Sequence, residues 1–253
     1  MDAELFSPQL DETRRIKVYL PLDHSPAEDW PVLFLADGIM VDYVARWVEP
    51  MIQSGAIPRM VLVGLLSGQP GIVEDRSDVS RDLRAADYLP NRTQDAPHRF
   101  RQHLDFVTET VLPWAQKTHG AGRNGEKIAV TGFSNGGVFA LHAGYRRPGV
   151  FDLAIVQSPG VGTIKEANEA PTRATEFWIS AGAQEPHFLI SAIQSAEALE
   201  AAGYVVRQRT YIAGHAMDQW DQGLSDALQS AIADSVNKAA IRFKRLASSL
   251  LSA

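Results

Sequence analysis

The stretch KIAVTGFSNGGVFAL, residues 127–141, decides how the chain is read. Lys127–Thr131 is a short apolar run of strand type, and Asn135–Arg146 is a helical segment with many small residues. Between them Gly132, Ser134 and Gly136 fill the pattern Gly-x-Ser-x-Gly. In a strand–turn–helix setting that spacing has a mechanical reason. The serine sits on a sharp, strained turn that lifts its hydroxyl above the sheet. Glycine two residues before and two after lets strand and helix approach without Cβ clashes. The helix N-terminus that follows favours developing negative charge. Ser134 is the candidate nucleophile; the alternative is a small-residue turn with no reactive serine.

Outward from this stretch, short apolar runs alternate with helical patterns. Strands are expected at Arg15–Pro21, Pro31–Leu35, Met60–Leu66, Leu153–Gln157, Phe177–Ala181 and Val205–Ile212. Helices are expected at Val41–Ser54, at His98–His119 with Pro113 kinking or ending it, and at Phe188–Ala202, closed by Gly203. Such alternation implies a mostly parallel sheet with helices on both faces. Ser67–Pro97 reads as a long connection without periodicity, of the kind that is either functional, here bordering the site, or disordered. From Gly223 to Ala253, Leu224, Leu228, Ile232, Val236, Ala240, Phe243, Leu246 and Leu250 form one apolar helical stripe. It packs on the sheet or, being longer than a closing helix needs, joins two copies in a homodimer.

A nucleophilic serine needs a base and an orienting acid, and on this architecture they follow it in the order acid, then histidine. His215 stands directly after the last strand, where loops at carboxyl strand ends collect ligands. His142 lies within the helix after the turn, and His187 is the other histidine downstream. Glu185 follows the strand Phe177–Ala181 and is the first candidate acid; Asp218 and Asp221 compete but come after the histidine.

These pieces, in order, resemble the α/β-hydrolase superfamily. More narrowly, they resemble the esterase family that holds enterochelin esterases, esterase D, feruloyl esterases and the antigen 85 mycolyltransferases. The carriers are LFLADG (33–38), MVLVGL (60–65), RAADYLP (84–90), ETVLPW (109–114), IAVTGFSNGGVFAL (128–141), RRPGVFDLAIVQSPG (146–160), SAGAQE (180–185) and AGHAMDQW (213–220). The resemblance implies a single α/β-hydrolase domain over residues 1–253 and supports Glu185 as the acid. It places the oxyanion-hole amides on Asn135 and on Ile39, after the Asp37-Gly38 turn. Arg84-x-x-Asp87-Tyr88 looks like the family's Arg-x-x-Glu-Tyr element. Arg84 or Tyr88 then touches substrate, or Arg84 and Asp87 pair within the loop. Trp220 is expected to border the pocket, while Trp30, Trp47, Trp114 and Trp178 fit the core. Arg76, Arg81, Arg84 and Arg92 either receive an anionic substrate group or are simply solvated.

The implied activity is hydrolysis of a small-molecule carboxylic ester through an acyl-enzyme, falling at acidic pH as His215 protonates. The alternatives are an acyltransferase with the same triad and a catalytically silent ester-binding protein. The chain has 253 residues, about 1.7 ordinary domain lengths, and no linker divides it. It contains no cysteine, which excludes disulfides, thiolate catalysis and iron–sulfur clusters. With a net charge of −6 it offers no dense basic face for nucleic acid. No P-loop, His-Glu-x-x-His or dinucleotide fingerprint occurs, so no cofactor or metal is expected. No secretory signal and no run of about 18 apolar residues is present, so the expected location is cytoplasmic, with no membrane partner. Asn91-Arg92-Thr93 matches a glycosylation acceptor by chance.

Overall fold

The computed structural model describes residues 1–68, 83–90 and 98–230. Two apolar runs, β3 (Val32–Ala36) and β4 (Val61–Leu65), are buried at every position, as expected of strands covered on both faces. They pair in parallel and form the middle of an eight-stranded sheet. The other strands are β1 (Asp2–Ser7), β2 (Glu12–Tyr19), β5 (Ile128–Phe133), β6 (Leu153–Gln157), β7 (Glu176–Gly182) and β8 (Val206–Tyr211). Their order across the sheet is β1-β2-β4-β3-β5-β6-β7-β8. All pairs from β4 to β8 are parallel, while β1–β2 and β2–β4 are antiparallel. This is the mostly parallel α/β-hydrolase sheet expected from the sequence.

Alternation along the strands divides the core. Val32, Phe34 and Ala36 face a large cluster with α5 (Asn135–Arg146) and α6 (Pro186–Ala201). Leu33 and Leu35 face a second cluster with α1 (Val41–Gln53) and a last helix, α7, over residues 217–230. Helices thus cover both faces. The chain leaves β3 for β4 on one side and returns to β5 on the other. This reversal makes the carboxyl ends of β3 and β5 a topological switch point, where ligands bind in such sheets.

The fold also departs from the sequence reading. Strand β1 escaped it, and the Ser67–Pro97 connection contains a short helix, α2 (Leu83–Tyr88), that a six-residue segment cannot signal by period. Pro113 does not end its helix. α3 (Arg99–Phe106) runs into a π turn at Val107–Val111 and on into α4 (Leu112–His119). Proline has no N–H for the i−4 carbonyl, and the turn before it widens instead of breaking. α7 begins earlier than Gly223. The rest of its apolar stripe, Arg76, Arg81, Arg92 and the Asn91-Arg92-Thr93 sequon lie outside the described residues. Among the described residues no helix is long and apolar enough to cross a membrane.

Candidate active site

The carboxyl ends of β3, β5, β6, β7 and β8 deliver Asp37, Ser134, Ser158, Glu185 and His215 respectively. Ser134 has φ 56° and ψ −123°, a conformation that a non-glycine residue holds only under strain. Its N–H bonds the Gln157 carbonyl at 3.0 Å, and its carbonyl accepts the first α5 bond from Val138. The flanking glycine is sterically required: a Cβ on Gly132 would stand 2.3 Å from the carbonyl oxygen of Gly136. Asn135 is the first residue of α5, so its N–H has no intrahelical acceptor.

Glu185 is 5% exposed and receives three donors. The Gly182 N–H (2.5 Å) and the Ser158 hydroxyl (2.6 Å) bond Oε1, and Nδ1–H of His215 (2.5 Å) bonds Oε2. The competing acids point elsewhere. Asp221 contacts the Tyr43 hydroxyl, and Asp218 bonds the N–H of Gln219. Burial, more than any neighbouring charge, raises the Asp221 carboxyl. With Nδ1 committed to Glu185, the free nitrogen of His215 is Nε2. The imidazole is stacked on Phe188 at 4.0 Å and meets the Trp220 ring edge-on at 4.8 Å. Phe188 and Ser134 both line a cleft of about 440 Å³, with Asn135, Gly160, Val161 and Ile190 on its walls. The Ser134 hydroxyl makes no hydrogen bond among the described residues.

The turn after β3 carries Ile39, the expected second amide. Gly38–Met40 is a single 3₁₀ turn whose first internal bond runs from Met40 to Asp37, leaving the Ile39 N–H free of an intrahelical acceptor. Ile39 itself is 72% exposed. Asp37 sits in the left-handed region (φ 58°), and its carboxylate takes Nε and Nη2 of Arg84, both at 2.6 Å. Beneath it the Tyr88 hydroxyl accepts the Asp37 N–H (2.8 Å) and donates to the Leu65 carbonyl (3.0 Å). Gly38 packs so close to β4 that a Cβ there would lie 2.4 Å from the carbonyl carbon of Gly64.

Two expectations change here. Tyr88 has no exposed surface, so it does not touch substrate; burial raises its phenol far above the usual range and keeps it a neutral hydrogen-bonding group. Arg84 does not pair with Asp87. It clamps Asp37, while Asp87, fully buried, takes Arg14 (Nη2, 2.9 Å), Arg99 (Nε, 2.7 Å) and the Gly68 N–H (2.7 Å). That buried cluster pins α2 to β2 and α3, and α2 in turn holds Tyr88 and Arg84 under the turn. Trp220 is half-buried and its indole is committed: the ring stacks on Phe133 at 4.3 Å and the N–H bonds the Ser158 hydroxyl at 2.9 Å. His142 is buried in α5 and bonds the Gly162 carbonyl at 2.7 Å, away from the nucleophile's base position. His187 lines the cleft. Asp37 and Ser158 were not singled out from sequence. The signal for Ser158 was present, because Gln157-Ser158-Pro159-Gly160 follows the end of a strand as Phe133-Ser134 does.

The family described as "Putative esterase" matches residues 7–231. The chain belongs to that esterase family. The iron(III) enterobactin esterase of Dickeya dadantii is 27% identical over 247 residues, 88% of this chain and 52% of its own. An uncharacterized protein of Bacillus subtilis, YjcH, is 24% identical over 163 residues, 63% of this chain and 61% of its own. The chain therefore spans only about half to three-fifths of these two curated relatives. Among solved structures, a ferulic acid esterase superposes with a TM-score of 0.70 at 18% identity, covering 90% of this chain and 95% of the other. The enterobactin esterase of Shigella flexneri superposes with 0.70 at 19% identity, covering 91% of this chain and 57% of the other. At these identities the superpositions establish the α/β-hydrolase fold of this esterase-family chain.

Proposed function

We propose that this esterase-family chain hydrolyses small-molecule carboxylic esters by a serine mechanism. One observation carries the reading: His215, held through Nδ1 by the buried Glu185, stacks on Phe188 in the wall of the cleft that contains the strained Ser134. Ser134 attacks the ester carbonyl as Nε2 of His215 takes its proton. Glu185 fixes the imidazole tautomer and stabilises the imidazolium. The N–H groups of Asn135 and Ile39 receive the oxyanion, a contribution of roughly 3 kcal/mol per donor. His215 then protonates the leaving alcohol, and water attacks the acyl-enzyme with the same base assisting. The apolar wall made by Phe188, Val161 and Ile190 suits an aromatic or other apolar acyl group. The relatives named for ferulic acid and enterobactin esters support that choice.

The test is fluorophosphonate labelling and p-nitrophenyl ester turnover. The wild type labels and turns over, and Ser134→Ala does neither. Labelling or turnover that persists in the variant overturns Ser134 as nucleophile.

A further inference from the structure

Glu185 holds His215 through Oε2, and its other oxygen accepts from an ordered chain of donors. Ser158 follows β6, is fully buried, and stands at φ 46°, in the left-handed region. Its hydroxyl lies 2.6 Å from Oε1 of Glu185, 2.9 Å from the indole nitrogen of Trp220 and 3.0 Å from Oε1 of Gln219. The direction of these bonds is forced. An indole N–H only donates, so the Ser158 oxygen accepts from Trp220 and has one proton left to give. A carboxylate only accepts, so that proton goes to Glu185. With that proton given to Glu185, none is left for Oε1 of Gln219, and turning this amide over would bring its Nε2 to Ser158 as a donor. That orientation would also supply the partner that the buried amide nitrogen otherwise lacks.

We propose that Ser158 and Trp220 are positioning residues for the reaction: the indole N–H orients the Ser158 hydroxyl, which locks Oε1 of Glu185 and turns Oε2 to His215. Trp220 links three parts of the site at once. Its N–H sets Ser158, one face stacks on Phe133, which precedes the nucleophile, and its ring meets His215. Its role is thereby moved from substrate contact to alignment. Ser158 has no exposed surface and is not a second nucleophile.

This inference rests on the reading of Ser134, His215 and Glu185 as the catalytic groups, and the experiment separates the two. Steady-state kinetics on a p-nitrophenyl ester and the downfield ¹H NMR resonance of the His215 Nδ1 proton are measured for wild type, Ser134→Ala, Ser158→Ala, Ser158→Gly and Trp220→Phe. Glycine suits φ 46° and keeps the test informative if alanine there fails to fold. Ser158→Ala and Ser158→Gly are expected to lower kcat about tenfold, well short of the ~10⁴-fold loss when an orienting acid is replaced outright. KM stays within about twofold, since no substrate contact is removed. The Nδ1 resonance shifts or broadens in both variants but is retained in Ser134→Ala. Trp220→Phe keeps the ring stack and moves kcat and the resonance in the same direction by less. Unchanged kcat and an unmoved resonance in Ser158→Gly, with Ser134→Ala inactive, overturn the positioning role alone. Full activity in Ser134→Ala overturns the parent reading.

Discussion

Tyr88→Phe distinguishes a tyrosine that contacts substrate from one that builds the oxyanion turn. The substitution removes only the hydroxyl from a side chain with no exposed surface, so the ring still fills its site against His103 and Phe139. What is lost is the bridge from the Asp37 N–H to the Leu65 carbonyl, at 2.8 and 3.0 Å. Stranding a buried backbone group costs roughly 1–3 kcal/mol, and the Leu65 carbonyl loses only one of its possible partners, so the net expectation is about 2 kcal/mol. For a chain of this size that lowers Tm by about 4–8 °C. The Ile39 amide sits two residues beyond the released Asp37 N–H, so the turn should also loosen where the oxyanion is received. A displaced donor affects the transition state more than the ground state, so kcat falls about tenfold while KM changes little. Differential scanning calorimetry and initial rates on one p-nitrophenyl ester measure both effects. A variant with wild-type Tm and a raised KM would restore Tyr88 as a substrate contact and refute the argument.

Other outcomes follow from the same structure. Glu185→Gln should reduce kcat by about 10³–10⁴-fold, because an amide selects the wrong imidazole tautomer; a loss under tenfold in stopped-flow or steady-state assays would contradict the geometry. Gly38→Ala places a Cβ 2.4 Å from the Gly64 carbonyl carbon and should cost on the order of 3 kcal/mol in urea unfolding, with activity falling in the folded fraction as well. His103 and His142 are each held near 4 chiefly by burial, so both remain neutral in the fold and gain a proton only on unfolding as pH drops below 6.5. The unfolded chain then binds more protons, so stability falls with pH from 6.5 toward 4. Between pH 7 and 5 the loss is about 2 kcal/mol per histidine. His103→Leu should flatten this slope in urea titrations, and an unchanged slope would count against it. Phe188→Ala removes the ring stacked on His215 and part of the cleft wall, and should raise KM for aromatic acyl esters more than for acetyl esters.

The sheet was legible because its strands depend on local pattern, and the candidate groups were picked out in the same way. Apolar runs marked β3 and β4, the glycine spacing marked the turn at Ser134, and chain order pointed to Glu185 and His215. The failures have physical reasons. β1 is a six-residue edge strand whose inward face, Ala3, Leu5 and Ser7, carries one large apolar residue while Phe6 points outward, so its sequence shows no clear apolar period. Arg84 and Asp87 sit three apart on one helix, which suggested a local ion pair. Tertiary structure gave each a better partner from elsewhere in the chain, Asp37 for one and Arg14 with Arg99 for the other. Tyr88 looked like a contact residue because its motif neighbours the site, and sequence proximity cannot report that the hydroxyl points inward. Trp220 was expected to border the pocket; the bond from its indole to Ser158 joins residues 62 apart and leaves no trace in any local window.

The groups of the site come from the ends of five strands, from Asp37 to His215, and only a fragment that spans the whole of 37–215 holds all of them. Folding must therefore bring together pieces of high sequence separation before any of the chemistry exists. Turnover becomes a strict readout of the completed sheet. In a denaturant series it should vanish in step with the cooperative loss of secondary structure, with no active, partly unfolded species in between.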